Sequence, residues 1–135
     1  MADQPNAKQA YINQRLTDEL VIWLSTVRPD GRPHLVPMEF YWSGEYVYFT
    51  TDQRSQKAVN LGQNPYVTLA LPDGADVIIL EGAAEFMDQS TVALVYAPLA
   101  AKNGRGPRLD PAARLVRVNP RKVLAWGGPY ERAGS

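Results

Sequence analysis

The chain has 135 residues, of which 45% are hydrophobic, and its 14 Lys and Arg balance its 14 Asp and Glu. This length predicts a single domain, residues 1–135, with room for a hydrophobic core. A formal net charge of zero argues against binding nucleic acid or a membrane surface through bulk charge. The absence of cysteine and the single histidine, His34, exclude disulfides, thiol chemistry and a multi-histidine metal centre. No apolar run has the length of a signal-peptide core or a membrane span, so we expect a cytoplasmic protein.

The first part of the chain is predicted to form a short helix and three antiparallel strands. Residues 1–18 are mostly polar, with apolar positions at roughly helical spacing, and so predict an N-terminal helix. The predicted strands are Val21–Val27, His34–Trp42 and Glu45–Thr51. The sequence Arg28-Pro29-Asp30-Gly31 and the pair Ser43-Gly44 form the turns between them, because these residue types favour tight turns.

Beyond the third strand, short helices are predicted to alternate with further strands. Ser55 is the expected N-cap of a helix over Gln56–Leu61, which Gly62 and Pro65 end. The later elements are strands Tyr66–Leu71 and Val77–Met87, a helix over Ser90–Ala101, strands Leu115–Val118 and Val123–Trp126, and a C-terminal tail over residues 127–135. Gly82, inside the longest strand, predicts a bulge or a close backbone approach.

This order of elements predicts an all-β protein with short helices. Mostly antiparallel strands with short connections favour a closed barrel, because closure removes the exposed edges that an open sheet would present. Six or seven such strands imply a closed barrel, and we predict a six-stranded antiparallel one.

The most informative candidate site is the junction between the third strand and the following helix. A helix N-terminus offers unpaired backbone N–H groups and a partial positive charge, which favour an anion. The polar side chains gathered there are Thr50, Thr51, Arg54, Ser55, Gln56, Lys57 and Asn60. Arg54 and Lys57 can meet a phosphate from different sides, and Thr51 and Ser55 can donate to its oxygens. The alternative is a solvated helix start that Ser55 merely caps.

Other polar residues give weaker signals. His34 could be a general base, although a strand histidine with a satisfied hydrogen bond is the favoured interpretation. The strand carboxylates are Glu39, Glu81 and Glu85. Nothing in the sequence pairs them, so acid–base catalysis is only weakly indicated and no catalytic residue is assigned. The cations of the late loop are Lys102, Arg105 and Arg108. That loop is either solvated or a cationic flap over an anionic ligand.

The run from Leu24 to Leu71 resembles the split-barrel flavin and deazaflavin oxidoreductases of the pyridoxamine-phosphate-oxidase-like superfamily. One feature is the T-x-x-x-D-G-x-P-x-x-x-P hairpin over Thr26–Pro37. The others are an aromatic strand pair from Trp42 to Phe49 and the pattern S-x-K-x-x-N-L…N-P over Ser55–Pro65. The resemblance continues to the final Trp126. It implies that the predicted barrel is a split barrel of the FMN-binding type.

Within the superfamily the chain is most similar to the short branch that depends on the deazaflavin coenzyme F-420. This resemblance implies an oxidoreductase that transfers a hydride between the reduced cofactor and a small unsaturated substrate. The cofactor phosphate is then expected at the strand-to-helix junction, and the tricyclic ring along Val36, Pro37 and Met38. FMN is the second choice, because the arginine-rich strand that commonly holds its phosphate is lacking. The alternatives are an FMN-dependent oxidoreductase and a non-catalytic binder of deazaflavin, flavin or haem.

The resemblance also implies a homodimer whose subunits share the cofactor cleft. The aromatic strands Phe40–Trp42 and Tyr46–Phe49 favour the same conclusion, since they carry more apolar surface than one small barrel is expected to bury. A symmetric pairing of two copies would cover that surface. The expected partners are thus a second copy and a small-molecule substrate.

Overall fold

The computed structural model of the protein describes residues 6–106 and 111–133. Its strands form one seven-stranded sheet in the order β2-β1-β5-β6-β7-β4-β3, with antiparallel pairing throughout. In chain order the elements are α1 (Ala7–Asp18), β1 (Val21–Val27), β2 (Pro33–Glu39), β3 (Tyr41–Trp42), β4 (Val47–Asp52), α2 (Gln56–Gln63), β5 (Tyr66–Ala70), β6 (Val77–Met87), α3 (Gln89–Asn103), β7 (Ala113–Trp126) and α4 (Pro129–Ala133). The predicted all-β class with short helices is confirmed.

The sheet curls because the predicted second strand is divided at Phe40 into β2 and β3. β2 pairs with β1, whereas β3 pairs with β4, so two segments that are adjacent in the chain lie at opposite edges of the sheet. Phe40, between them, is fully buried in the core. β4 pairs along its length with β7. The prediction of three consecutive strands, each paired with the next, is therefore wrong for most of the third strand.

The last strand is one element where the sequence predicted two. Leu115–Val118 and Val123–Trp126 belong to the single strand β7, which follows β6 along its whole length. The register shifts between Glu81 and Gly82. A Cβ on Gly82 would lie 2.2 Å from the backbone oxygen of Asn119. The predicted bulge and close approach at Gly82 are thus confirmed. One predicted strand is split and two are fused, which leaves the number of strand segments along the chain unchanged. The sheet has seven strands by this assignment, where the predicted barrel had six.

The core lies inside the curled sheet. Its largest fully buried apolar side chains are Phe40, Phe49, Leu16, Ile22, Leu24, Leu69, Ile78, Leu80, Val47, Val116 and Val118. Phe40 and Phe49, expected to add to the apolar surface that a second copy would cover, are thus buried within one subunit. In the described part of the chain, no helix is long and apolar enough to span a membrane.

The helices follow the predicted positions with shifted ends. α1 begins at Ala7, with Asn6 as a capping-box N-cap. α2 and α3 each extend beyond the predicted helix, and Pro98 lies inside α3. Within the predicted C-terminal tail, α4 occupies Pro129–Ala133.

Candidate functional site

The candidate site lies where β4 ends and α2 begins. Ser55 is the N-cap of α2, and its Oγ accepts a hydrogen bond from the backbone N–H of Ala58 at 3.2 Å. Thr51 Oγ1 lies 2.9 Å from Ser55 Oγ, which ties the end of the strand to the cap. The cap satisfies one orphan N–H of the helix and holds its first turn in place. The predicted N-cap is confirmed.

Lys57 stands in the first turn of α2. Its ammonium is half-buried and has no hydrogen bond or ion pair with any residue that the structure describes. Burial lowers the pKa of Lys57, and the Asp52 carboxylate offsets part of that shift. A cation at this position opposes the helix dipole, and desolvating it without a partner costs free energy. An anionic ligand would remove both penalties.

Lys57 lines a pocket of about 250 Å³ formed by the ends of β2, β4 and α3. The lining residues are Met38, Glu39, Thr50, Lys57, Leu99, Asn103, Arg105 and Gly106. Asn103 Oδ1 is buried without a hydrogen-bond partner in the described structure, so its acceptor capacity is unused. Two apolar side chains, two cations and an unpaired acceptor fit a ligand that joins an anionic group to an apolar body. The donor set therefore fits a phosphate-bearing flavin or deazaflavin, of which this small pocket could enclose only a part.

The sequence also matches a known family over most of its length. The family model described as "Pyridoxamine 5'-phosphate oxidase" matches residues 9–127. The chain belongs to this family. The predicted superfamily is therefore confirmed, and the curled antiparallel sheet is its split barrel.

Several known proteins are similar to this chain along most of its length. A biliverdin reductase of Mycobacterium tuberculosis that depends on reduced F-420 is 31% identical over 121 residues, covering 87% of this chain and 88% of the relative. A solved F-420 reductase is 29% identical with a TM-score of 0.69, covering 83% of this chain and 94% of its own. A solved conserved hypothetical protein of Mycobacterium tuberculosis is 28% identical with a TM-score of 0.75, covering 93% and 88% respectively.

Part of the predicted cofactor site lies in the pocket that Lys57 lines. Met38, Thr50 and Lys57 line it. Val36 lies on the same face of β2 as Met38, whereas Pro37 is exposed on the opposite, outer face. The position of the tricyclic ring along Val36, Pro37 and Met38 stays a prediction. The other cofactor assignments remain predictions.

Asn60 and Gln56 have protein partners. Asn60 is fully buried; its Nδ2 donates to Thr26 Oγ1 at 2.9 Å, and its Oδ1 accepts from Gln56 Nε2 at 2.7 Å. Thr51 is also buried, at 4% exposure. The Asn60 amide thus holds α2 against the sheet through Thr26, and both of its polar atoms are engaged by protein groups.

Arg54 is exposed and turned toward the carboxylate that precedes it. Its Nε and Nη2 donate to Asp52 Oδ1 and Oδ2 at 3.0 and 2.9 Å, and its backbone N–H also donates to Asp52 Oδ1. The Arg54 guanidinium does not contribute to the lining of the pocket. An anion in the pocket would thus meet Lys57 first, rather than Arg54 and Lys57 from two sides.

The expectation that His34 has a satisfied hydrogen bond is wrong for one ring nitrogen. His34 Nδ1 is buried and has no partner among the described groups. Burial lowers the pKa of His34, and the charges of Arg28 and Lys57 lower it further. The imidazole is consequently neutral at pH 7, which removes it as a proton donor in its charged form and leaves its basic character weak.

The wall supplied by α3 was missed by sequence reasoning. Leu99 and Asn103 line the pocket, although they lie more than a helix and two strands away in the chain. Lys102, predicted as part of a cationic flap, points elsewhere: its Nζ donates to Leu16 O at 3.2 Å and lies 3.6 Å from the centre of the Phe40 ring. Arg105 does line the pocket, whereas Arg108 lies outside the described residues.

Proposed function

We propose that this protein is an oxidoreductase that uses coenzyme F-420 and transfers a hydride from the reduced cofactor to a small conjugated substrate. The observation that carries the proposal is the half-buried Lys57 ammonium, which has no acceptor in the described structure and faces the pocket beside Thr50. Two similar proteins, the F-420-dependent biliverdin reductase and the F-420 reductase, support the choice of cofactor and reaction.

In this proposal the protein binds and orients, and the cofactor supplies the chemistry. When bound, the deazaflavin provides the hydride, so no catalytic acid or base is required of the chain for that transfer. Lys57 and the Thr50 hydroxyl would hold the phosphate by charge-assisted hydrogen bonds. Met38 and Leu99 offer apolar surface next to that point, which excludes water from the attached group. Asn103 Oδ1 would accept from a ligand N–H or O–H group.

The preference for deazaflavin over FMN rests on the charge around the pocket. The deazaflavin tail carries carboxylates beyond its phosphate, and FMN ends at the phosphate. Arg105 lies in the pocket wall where such a tail could meet it. Lys102 does not add to this cluster, since its ammonium is engaged by Leu16 and Phe40. Of the late-loop cations Lys102 and Arg105, only Arg105 therefore supports a preference for the deazaflavin tail.

We infer that the protein is a homodimer, because one side of the sheet presents an apolar row to its outside. The register places Pro37, Trp23, Ala70, Ile79 and Leu124 side by side on β2, β1, β5, β6 and β7. Leu35 and Tyr66, on the same outer face, are 60% and 62% exposed. A symmetric contact of this face with a second copy would cover the row. Because Pro37 is next to Met38, that contact would adjoin the cofactor pocket and make it a shared cleft.

The decisive experiment combines binding with turnover. Fluorescence titration should give a lower dissociation constant for F-420 than for FMN. Incubation with reduced F-420 and conjugated acceptors, biliverdin among them, should then consume the reduced cofactor. Tighter binding of FMN would overturn the cofactor, and binding of F-420 without turnover of any acceptor would favour the non-catalytic alternative. The cytoplasmic location stays a prediction.

A further inference from the structure

Glu39 and Arg105 form an ion pair in the wall of the pocket that Lys57 lines. Glu39 is the last residue of β2, and Arg105 follows Gly104, the left-handed C-cap of α3. Arg105 Nη2 contacts Glu39 Oε1, and both residues belong to the pocket lining. The pair therefore links two elements that form the pocket and places one carboxylate among its two cations.

This ion pair can be exchanged for another partner at small cost. The Arg105 side chain is 75% exposed and that of Glu39 36%, so the guanidinium remains largely hydrated and the carboxylate partly so. Exposed pairs of this kind contribute little net stability. A guanidinium binds phosphate and carboxylate through the same forked donors, and charge-assisted contacts to phosphate are among the strong hydrogen bonds. An anionic ligand in the pocket is thus a direct competitor of Glu39 for Arg105.

Lys57 differs from Arg105 in this respect. It has no ion-pair partner among the described residues, so an anion binds it without displacing a protein group, although the nearby Asp52 carboxylate weakens the attraction in part. The attraction of Arg105 for an anionic ligand is weaker, because the ligand must replace the Glu39 carboxylate that already neutralises the guanidinium. The two cations of one pocket therefore contribute unequally to the same ligand.

We propose that Glu39 is an internal competitor of the anionic ligand, which holds Arg105 until a phosphate or carboxylate of the ligand replaces it. Glu39 then sets the affinity and eases release, and it is a specificity residue that discriminates by ligand charge. The inference rests on the proposed function, because it takes the ligand to be the phosphate-bearing cofactor. It concerns binding only, and no bond is made or broken.

The test compares F-420 dissociation constants, measured by fluorescence titration, for four proteins. These are the parent, Glu39→Gln, Arg105→Ala and the double variant. Glu39→Gln should tighten binding by roughly three- to tenfold, because it frees a guanidinium without changing the size of the side chain. Arg105→Ala should weaken binding. In the Arg105→Ala background the gain from Glu39→Gln should be smaller, since no guanidinium remains to be released.

Two controls separate competition from general charge effects. Glu85→Gln changes net charge equally and breaks the Glu85–Arg117 pair, neither member of which lines the pocket; it should leave affinity unchanged. A deazaflavin chromophore without phosphate or tail should bind the parent and Glu39→Gln alike. Thermal unfolding of each variant checks that the fold is retained.

The outcomes are distinct. Unchanged or weaker F-420 binding by Glu39→Gln would overturn the proposal. Glu39 would then only hold Arg105 in place and would not compete with the ligand. An equal or larger gain in the Arg105→Ala background would also overturn it, because simple repulsion by Glu39 would explain the result. If the parent binds FMN and not F-420, the proposed function fails, and the same four titrations with FMN still decide the role of Glu39.

Discussion

Asn60 Nδ2 of α2 donates a hydrogen bond to Thr26 Oγ1 of β1 at 2.9 Å, and the two residues are 0% and 1% exposed. This buried bond fixes α2 to the sheet. Lys57 lies one turn earlier on the same helix. The direction in which its ammonium faces the pocket therefore depends on a polar contact in the core.

Asn60→Ala should lower the free energy of unfolding by about 2–4 kcal/mol, because it leaves Thr26 without its donor and creates a cavity. Urea denaturation measures the change. Thr26→Val is the matched control and should cost roughly 1–3 kcal/mol, since it leaves the buried Asn60 amide unpaired. If Asn60→Ala unfolds like the parent but loses F-420 affinity, Asn60 contacts the cofactor directly.

Lys57→Ala should weaken F-420 binding by roughly ten- to a hundredfold, the equivalent of one charge-assisted hydrogen bond. The rate at saturating cofactor should change little, because Lys57 is expected to hold the phosphate and not the reacting ring. Stability without ligand should be equal or slightly higher, since a half-buried cation opposing the helix dipole is removed. A variant that binds F-420 as well as the parent would place the phosphate elsewhere.

The same pair of proteins, titrated across the alkaline range, shows whether the charge of Lys57 is responsible. Burial lowers the pKa of this ammonium, and only the charged form attracts the phosphate. The parent is thus expected to bind F-420 with its full affinity at pH values below that pKa. The affinity should fall as the pH rises through that pKa, at lower pH than for an exposed lysine, and Lys57→Ala should lack this fall.

Gly82→Ala should destabilise the protein by roughly 2–4 kcal/mol, because its Cβ would lie 2.2 Å from the backbone oxygen of Asn119. Gly62, inside α2, has open space where a Cβ would stand, with no heavy atom within 4 Å. Gly62→Ala should stabilise by about 0.5–1 kcal/mol, since alanine favours helix. Chemical denaturation of the two variants side by side tests the bulge, and equal effects would contradict its role.

Lys102 should make stability rise in mildly alkaline solution. Burial lowers the pKa of its ammonium from the ordinary 10.5 to about 8. Between these values the unfolded chain holds a proton that the folded chain has released, so the free energy of unfolding increases with pH. The rise attributable to Lys102 should be on the order of 1 kcal/mol, because solvent screens part of the shift. Lys102→Met should remove it; an identical pH profile in both proteins would show that the folded pKa is not lowered.

Light scattering should give twice the chain mass of 15.0 kDa for the parent protein. Ile79→Lys places a charge in the outer apolar row and should shift the mass toward the monomer at micromolar concentration. Leu94→Lys is the control, because Leu94 is 78% exposed on α3 and is not one of the five residues of that row. A monomeric parent would remove the shared cleft from the proposal.

The local features of this protein could be predicted from the order of its residues. Ser55 caps α2 and Gly82 allows a close backbone approach, as their neighbours in the chain predicted. β1 and β5 also lie where strands were predicted, and buried and less buried residues alternate along both. These features depend on a few adjacent residues and their backbone preferences, and so they can be inferred from a single sequence.

The meeting of distant segments, in contrast, is a property of the folded chain. The bend at Phe40 sends β2 and β3 to opposite edges of the sheet, and β4 pairs with β7 across more than 60 residues of chain. The same packing brings Asn103 and Arg105 to the pocket of Lys57 and leaves His34 Nδ1 without a partner among the described groups. No local pattern encodes these contacts, because they arise from closing one sheet around a shared core, where each strand's position depends on all the others.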